Sequence, residues 1–162
     1  MLRTRTPIRV LGASDMGAAM DLCARNPADN CFVAARLIEG GLTGPGSHVV
    51  GVYDGAELVS MCFAGANVVP VETTPRTRSA IADRVRKWHR RAASFLGPAE
   101  QVLPLWELCE VGWGAVRDVR SPQPHLATTR PPSQVGVTAD PRVRLARDRK
   151  STRLNSSHRT VS

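Results

Sequence analysis

The residues best equipped for chemistry are Cys23, Cys31, Cys62 and Cys109, together with His48, His89 and His125. Thiolate and imidazole could build a zinc site or a nucleophile–base pair. The spacing serves neither: no C-x-x-C occurs, no two histidines lie at ligand spacing, and the thiols are too scattered for a disulfide framework. Buried, inert thiols are the expectation. Phosphate chemistry has no firmer footing. The segment Gly12 to Gly17 reads G-A-S-D-M-G, without the middle glycine of a dinucleotide loop, and the glycines between Gly40 and Gly46 lead into no Lys-Ser or Lys-Thr.

A formal charge of +8 raises the question of nucleic acid, because neutralising phosphates drives non-specific binding. Arg76, Arg84, Lys87, Arg90 and Arg91 fall broadly on one side of a predicted helix that also carries Trp88, a conceivable stacking platform. Two features count against that partner. Lysine occurs only at Lys87 and Lys150, the usage of a GC-rich coding sequence, and Trp88 shares the apolar face with Ile81 and Val85. A solvated arginine face is expected, with Trp88, Trp106 and Trp113 as packing residues.

The elements that would position any site follow from periodicity and turn chemistry. Ile8, Val10 and Leu11 predict a short strand. Ser14-Asp15 then offers a cap for a helix with Met16, Ala19, Met20 and Cys23 on one face. A second helix starts at Pro27, with Cys31, Ala34, Ala35 and Ile38 at helical spacing, and stops at Gly40-Gly41. After a loop from Gly41 to Ser47, Val49–Tyr53 and Glu57–Ala64 read as a hairpin turned by Asp54-Gly55, and Val68–Val71 as a third strand in the run. Thr74-Pro75 caps a helix expected to reach about Arg91; a strand Ala93–Leu96 and a helix carrying Val102, Leu105, Trp106 and Cys109 follow. Leu126–Thr128 is a candidate final strand. The order β-α-α-β-β-β-α-β-α-β predicts an α+β fold, a mixed and mostly antiparallel sheet flanked by helices.

At 162 residues the chain has room for one substantial core, and no apolar run approaches the ~20 residues needed to span a bilayer. Met1 to Pro7 is basic but leads into no apolar signal region, so a cytoplasmic protein is expected. The last residues have another character. From Asp148 to His158 the chain reads D-R-K-S-T-R-L-N-S-S-H, the in-frame translation of a common short-read sequencing adapter, so residues 148–162 are read as an adapter-derived, disordered artefact. Four basic residues and one acid fall there, and the rest of the chain carries +5 rather than +8.

Three segments carry a family resemblance: C-A-R-N-P-A-D-N-C-F-V-A-A-R-L (Cys23 to Leu37), C-F-A-G-A-N-V-V-P-V (Cys62 to Val71) and G-P-A-E-Q-V-L-P-L-W-E (Gly97 to Glu107). They resemble a bacterial N-terminal domain of unknown function that precedes a standard catalytic domain in two-domain acetyltransferases of the GNAT superfamily. The element order is that of the GNAT fold as well. Asp140-Pro141-Arg142-Val143-Arg144 is similar to the segment that opens the catalytic domain in that family. The resemblance divides the chain into a degenerate GNAT-like N-terminal domain at residues 1–130, a linker at 131–141 and the start of a missing catalytic domain at 142–147.

The resemblance implies that the full-length parent transfers an acetyl group from acetyl-CoA to an amine. It implies no such activity for this fragment. GNAT enzymes hold the cofactor pyrophosphate on backbone N–H groups of a Q/R-x-x-G-x-G/A loop, where glycine lets the chain approach closely. Here the place is taken by Val71-Glu72-Thr73-Thr74-Pro75-Arg76: no glycine, one donor removed by Pro75, and a negative charge at Glu72. Only the helix start with Arg76 and Arg78 could still attract an anion. Glu72, Glu100, Glu107 and Glu110 each read as solvated or helix-turn charges, so no catalytic, cofactor-binding or metal-binding residue is assigned. Two functions of different class follow: a non-catalytic accessory domain whose partner is the missing C-terminal GNAT domain, or a free-standing basic module for nucleic acid or an acidic protein.

Overall fold

The computed structural model describes residues 7–43, 48–88, 92–120 and 123–143. Strand β1 (Ile8–Val10) is followed by a 3-10 turn (Ala13–Asp15) and two consecutive helices, α1 (Met16–Ala24) and α2 (Pro27–Gly40). Three strands come next, β2 (His48–Asp54), β3 (Glu57–Ala64) and β4 (Asn67–Val71). Helix α3 (Pro75–Val85), a 3-10 turn (Arg86–Trp88), β5 (Ser94–Phe95) and α4 (Ala99–Cys109) complete the layers. The five strands lie side by side in sequence order; β1 to β4 pair antiparallel, and β5 pairs parallel to β4. The chain is therefore α+β with a mixed, mostly antiparallel sheet.

Side-chain alternation along the strands builds a core on each face of that sheet. Val49, Met61, Phe63, Val69 and Val71 meet Ala19, Leu22 and Cys23 of α1 and Val33 and Leu37 of α2. Val50, Val52, Cys62 and Val68 point the other way and meet Ile81, Ala82 and Val85 of α3 and Leu105 and Cys109 of α4. Strict alternation would send Leu58 and Met61 to opposite faces, yet both pack under α1 and α2. A bulge reconciles them: Tyr53 pairs with Leu58 and Val52 with Ser60, leaving Val59 as the extra residue. On the first face Gly51 is indispensable space, since a Cβ there would lie 2.5 Å from both Leu11 and Leu58.

Several expectations need correction. The buried stripe of α2 is Asn30, Val33 and Leu37, whereas Cys31 and Ala35 are exposed and Ile38 is 73% exposed. The larger Val33 and Leu37 set the helix rotation, and Asn30 is drawn in by polar partners described below. The hairpin turns on Gly55-Ala56, one residue later than expected; Gly55 has φ 60° and Asp54 still pairs with Glu57. Helix α3 ends at Val85 and tightens into its 3-10 turn, while His89 to Arg91, the expected end, lie outside the described residues. No strand forms at Leu126–Thr128, where Leu126 is 86% exposed.

The chain divides into two units, Met1–His125 and Leu126–Ser162. In the second, the described residues are all exposed; they hold a 3-10 turn (Pro132–Val135), closed by Gly136 with φ 75°, and an Asp140–Arg142 ion pair of 2.7 Å. Most of the segment expected to open a catalytic domain, from Arg144 on, and the adapter-like residues 148–162 lie outside the described residues.

Candidate functional site

Burying a polar side chain is costly unless it is hydrogen-bonded, so the places where a small domain does so are informative. Among the described residues six polar or charged side chains are buried: Asp15, Asn30, Ser60, Thr73, Thr77 and Arg78. Asp15 stands at the β1 edge. The other five converge on the turn between β4 and α3.

That turn is built from its own side chains. Thr74 caps α3 in extended backbone, with its Oγ1 accepting from Thr77 N at 3.3 Å, while Thr74 N donates to Thr77 Oγ1 at 2.9 Å. The exchange has the form of a capping box, with threonine in the role usually held by glutamate. Thr73 N donates to Gln101 Oε1 of α4 at 2.9 Å, and Pro75 has no N–H to give. Ser60, reaching over from β3, donates to the Glu72 carbonyl at 2.7 Å and shares a hydrogen bond with Thr77 Oγ1 at 2.9 Å. The backbone donors that a helix start normally offers to an anion are thus largely taken up internally.

Glu72 is held in the left-handed region at φ 52°, the one non-glycine residue with positive φ among those described. Its carboxylate accepts from Asn26 Nδ2 at 2.6 Å and Asn30 Nδ2 at 3.2 Å, tying the β4 end to the α1–α2 junction. Glu72 is therefore half-buried and partnered, not a solvated charge as its sequence context suggested. Replacing it tests the strain. Glu72→Ala keeps the unfavourable φ, whereas Glu72→Gly relieves about 1–2 kcal/mol but adds about 0.4–1 kcal/mol of unfolded-state entropy. Urea unfolding is expected to find the glycine variant the more stable of the two by roughly 0.5–1 kcal/mol.

Arg78 closes the site from the α3 side. Its Nη2 donates to the carbonyls of Thr73 and Glu100, both at 3.3 Å, and its Nε is buried without a partner. Neither contact is to a carboxylate, so the guanidinium bridges the turn to the first turn of α4 as a buried cation whose hydrogen-bond partners among the described residues are backbone oxygens. Gly97 (φ 139°), close to Pro70, lets the chain turn from β5 into α4 at this point.

The second polar knot is structural. Asp15 accepts from Arg9 at 2.6 and 2.8 Å, from Gly12 N at 2.8 Å and from Tyr53 Oη at 2.9 Å, while Arg9 stacks over the Tyr53 ring at 4.6 Å. The Arg9 guanidinium, then the Gly12 amide, hold the Asp15 carboxyl far below the ordinary carboxylate range; burial and the bond to Asp15 push the Tyr53 phenol up. A depressed carboxylate stabilises the fold above its unfolded value of about 3.9 and loses that contribution as pH falls towards its folded value. Asp15→Asn is expected to cost about 1–2 kcal/mol at pH 7 and to make stability less sensitive to pH below about 4, measured by urea unfolding at pH 7 and pH 3.

The remaining candidates are dispersed. Cys23, Cys62 and Cys109 are buried and Cys31 is exposed, so the expectation of buried thiols fails at Cys31. His48 stacks on Trp88 (5.0 Å, 25°), and His125 Nδ1 lies 3.4 Å from Asp29. Phe95 makes edge contacts with Trp106 and Trp113 at 5.1 and 5.0 Å. A cavity beside His48, Trp88 and Trp113 has a volume of about 10 Å³, the space of a single water. Among the described residues no group of three or more His, Cys, Asp and Glu gathers as metal ligands, and no helix is long and apolar enough to cross a membrane.

Neither a search of the curated proteins nor a search of the solved structures returned a match. One family model does match, and it spans β2 through the end of α4 and beyond, including the whole β4–α3 turn. Residues 47–154, two-thirds of the chain, fit the model described as Domain of unknown function (DUF4081), and the chain belongs to that family.

Proposed function

We propose that this chain is a non-catalytic accessory domain of a cytoplasmic, bacterial, two-domain GNAT-family acetyltransferase, and that acetyl transfer from acetyl-CoA to an amine is the work of a C-terminal domain that follows it. The observation that carries the non-catalytic part is the β4–α3 turn. In the GNAT enzymes that the chain resembles, glycines and free N–H groups at this place receive the cofactor pyrophosphate. Here Thr73 N is taken by Gln101, Thr74 N and Thr77 N by the capping exchange, and Pro75 has none. The Glu72 carboxylate, at the first position of the turn, adds a negative charge. The family part is supported by the sheet itself, four antiparallel strands joined by a parallel fifth, with one helix pair on each face. Trp88 lies against His48, and this favours packing over base stacking for the arginine-rich helix.

Titration calorimetry of the purified chain with acetyl-CoA is expected to give no saturable heat, a Kd weaker than about 1 mM. A Kd of about 10 µM or tighter would overturn the accessory reading, because about 7 kcal/mol of binding requires a formed site. Long-read sequencing across the codons for Arg144 to Asp148 tests the parent. A frame that runs on into a domain with a Q/R-x-x-G-x-G/A loop sustains the proposal; a stop codon after Arg147 overturns it.

A further inference from the structure

We draw no further inference here: the strongest candidate, the exposed apolar pair Leu108 on α4 and Val111 in the 3-10 turn that follows it (Glu110–Gly112), is an unpartnered surface, and nothing in the structure shows what covers it.

Discussion

Native protein at pH 8 is expected to give up one thiol per chain, Cys31, to a disulfide reagent such as Ellman's, and all four only after unfolding in guanidinium. Thiolate is the reactive species, so both ionisation and access decide the rate. Burial pushes Cys109 up to about 11, and burial together with the Glu72 charge does the same to Cys23. A thiol at that value is about one part in a thousand thiolate at pH 8, before access is considered. Cys62, wholly enclosed between β3 and the α3–α4 layer, is displaced further in the same direction. Cys31 stands in solvent on the outer side of α2. Rapid reaction of two or more thiols in the folded protein would mean that one of the helix pairs opens readily from the sheet.

Ile81→Ala is expected to cost about 2–5 kcal/mol, a large share of the roughly 5–15 kcal/mol that holds a domain of this kind together. Ile81 is fully buried between α3 and the strands, among Val50, Val52 and Cys62. Its removal leaves a cavity on the face that also anchors the β4–α3 turn. The melting temperature should fall by roughly 10 °C. Ile38→Ala supplies the contrast. That residue is 73% exposed, and its loss is expected to change stability by no more than about 0.5 kcal/mol. Thermal unfolding of the two variants side by side checks the assignment of both helix faces, and equal losses would refute it.

The pair also marks where the sequence was readable. The hairpin strand Val49–Tyr53 and the Thr74-Pro75 cap are local signals, and both led to the right elements. The face of α2 is not local. Cys31, Ala34, Ala35 and Ile38 have helical spacing, but Asn30 is turned inward by Glu72, 42 residues away, and by the Cys23 carbonyl. The Val59 bulge leaves no trace in composition, since it arises from fitting two strands together. The turn after β4 was legible as glycine-free and proline-blocked, with Arg78 nearby. That Gln101 would occupy the Thr73 amide was not, because the contact depends on where α4 lands relative to β4.

Gly51 bears on how this sheet selects one alignment from its neighbours. A slip of β2 by one residue would exchange its two faces, moving Val50 and Val52 out from under α3, and the hydrophobic pattern alone forbids it. A slip by two preserves the faces and would otherwise go unpunished. It would carry Val49 or Tyr53 into a gap where even a methyl group stands 2.5 Å from Leu11 and Leu58 at once. A missing side chain therefore acts as a notch, admitting the strand at one setting only, and every group gathered at the far end of β4 inherits its position from that setting.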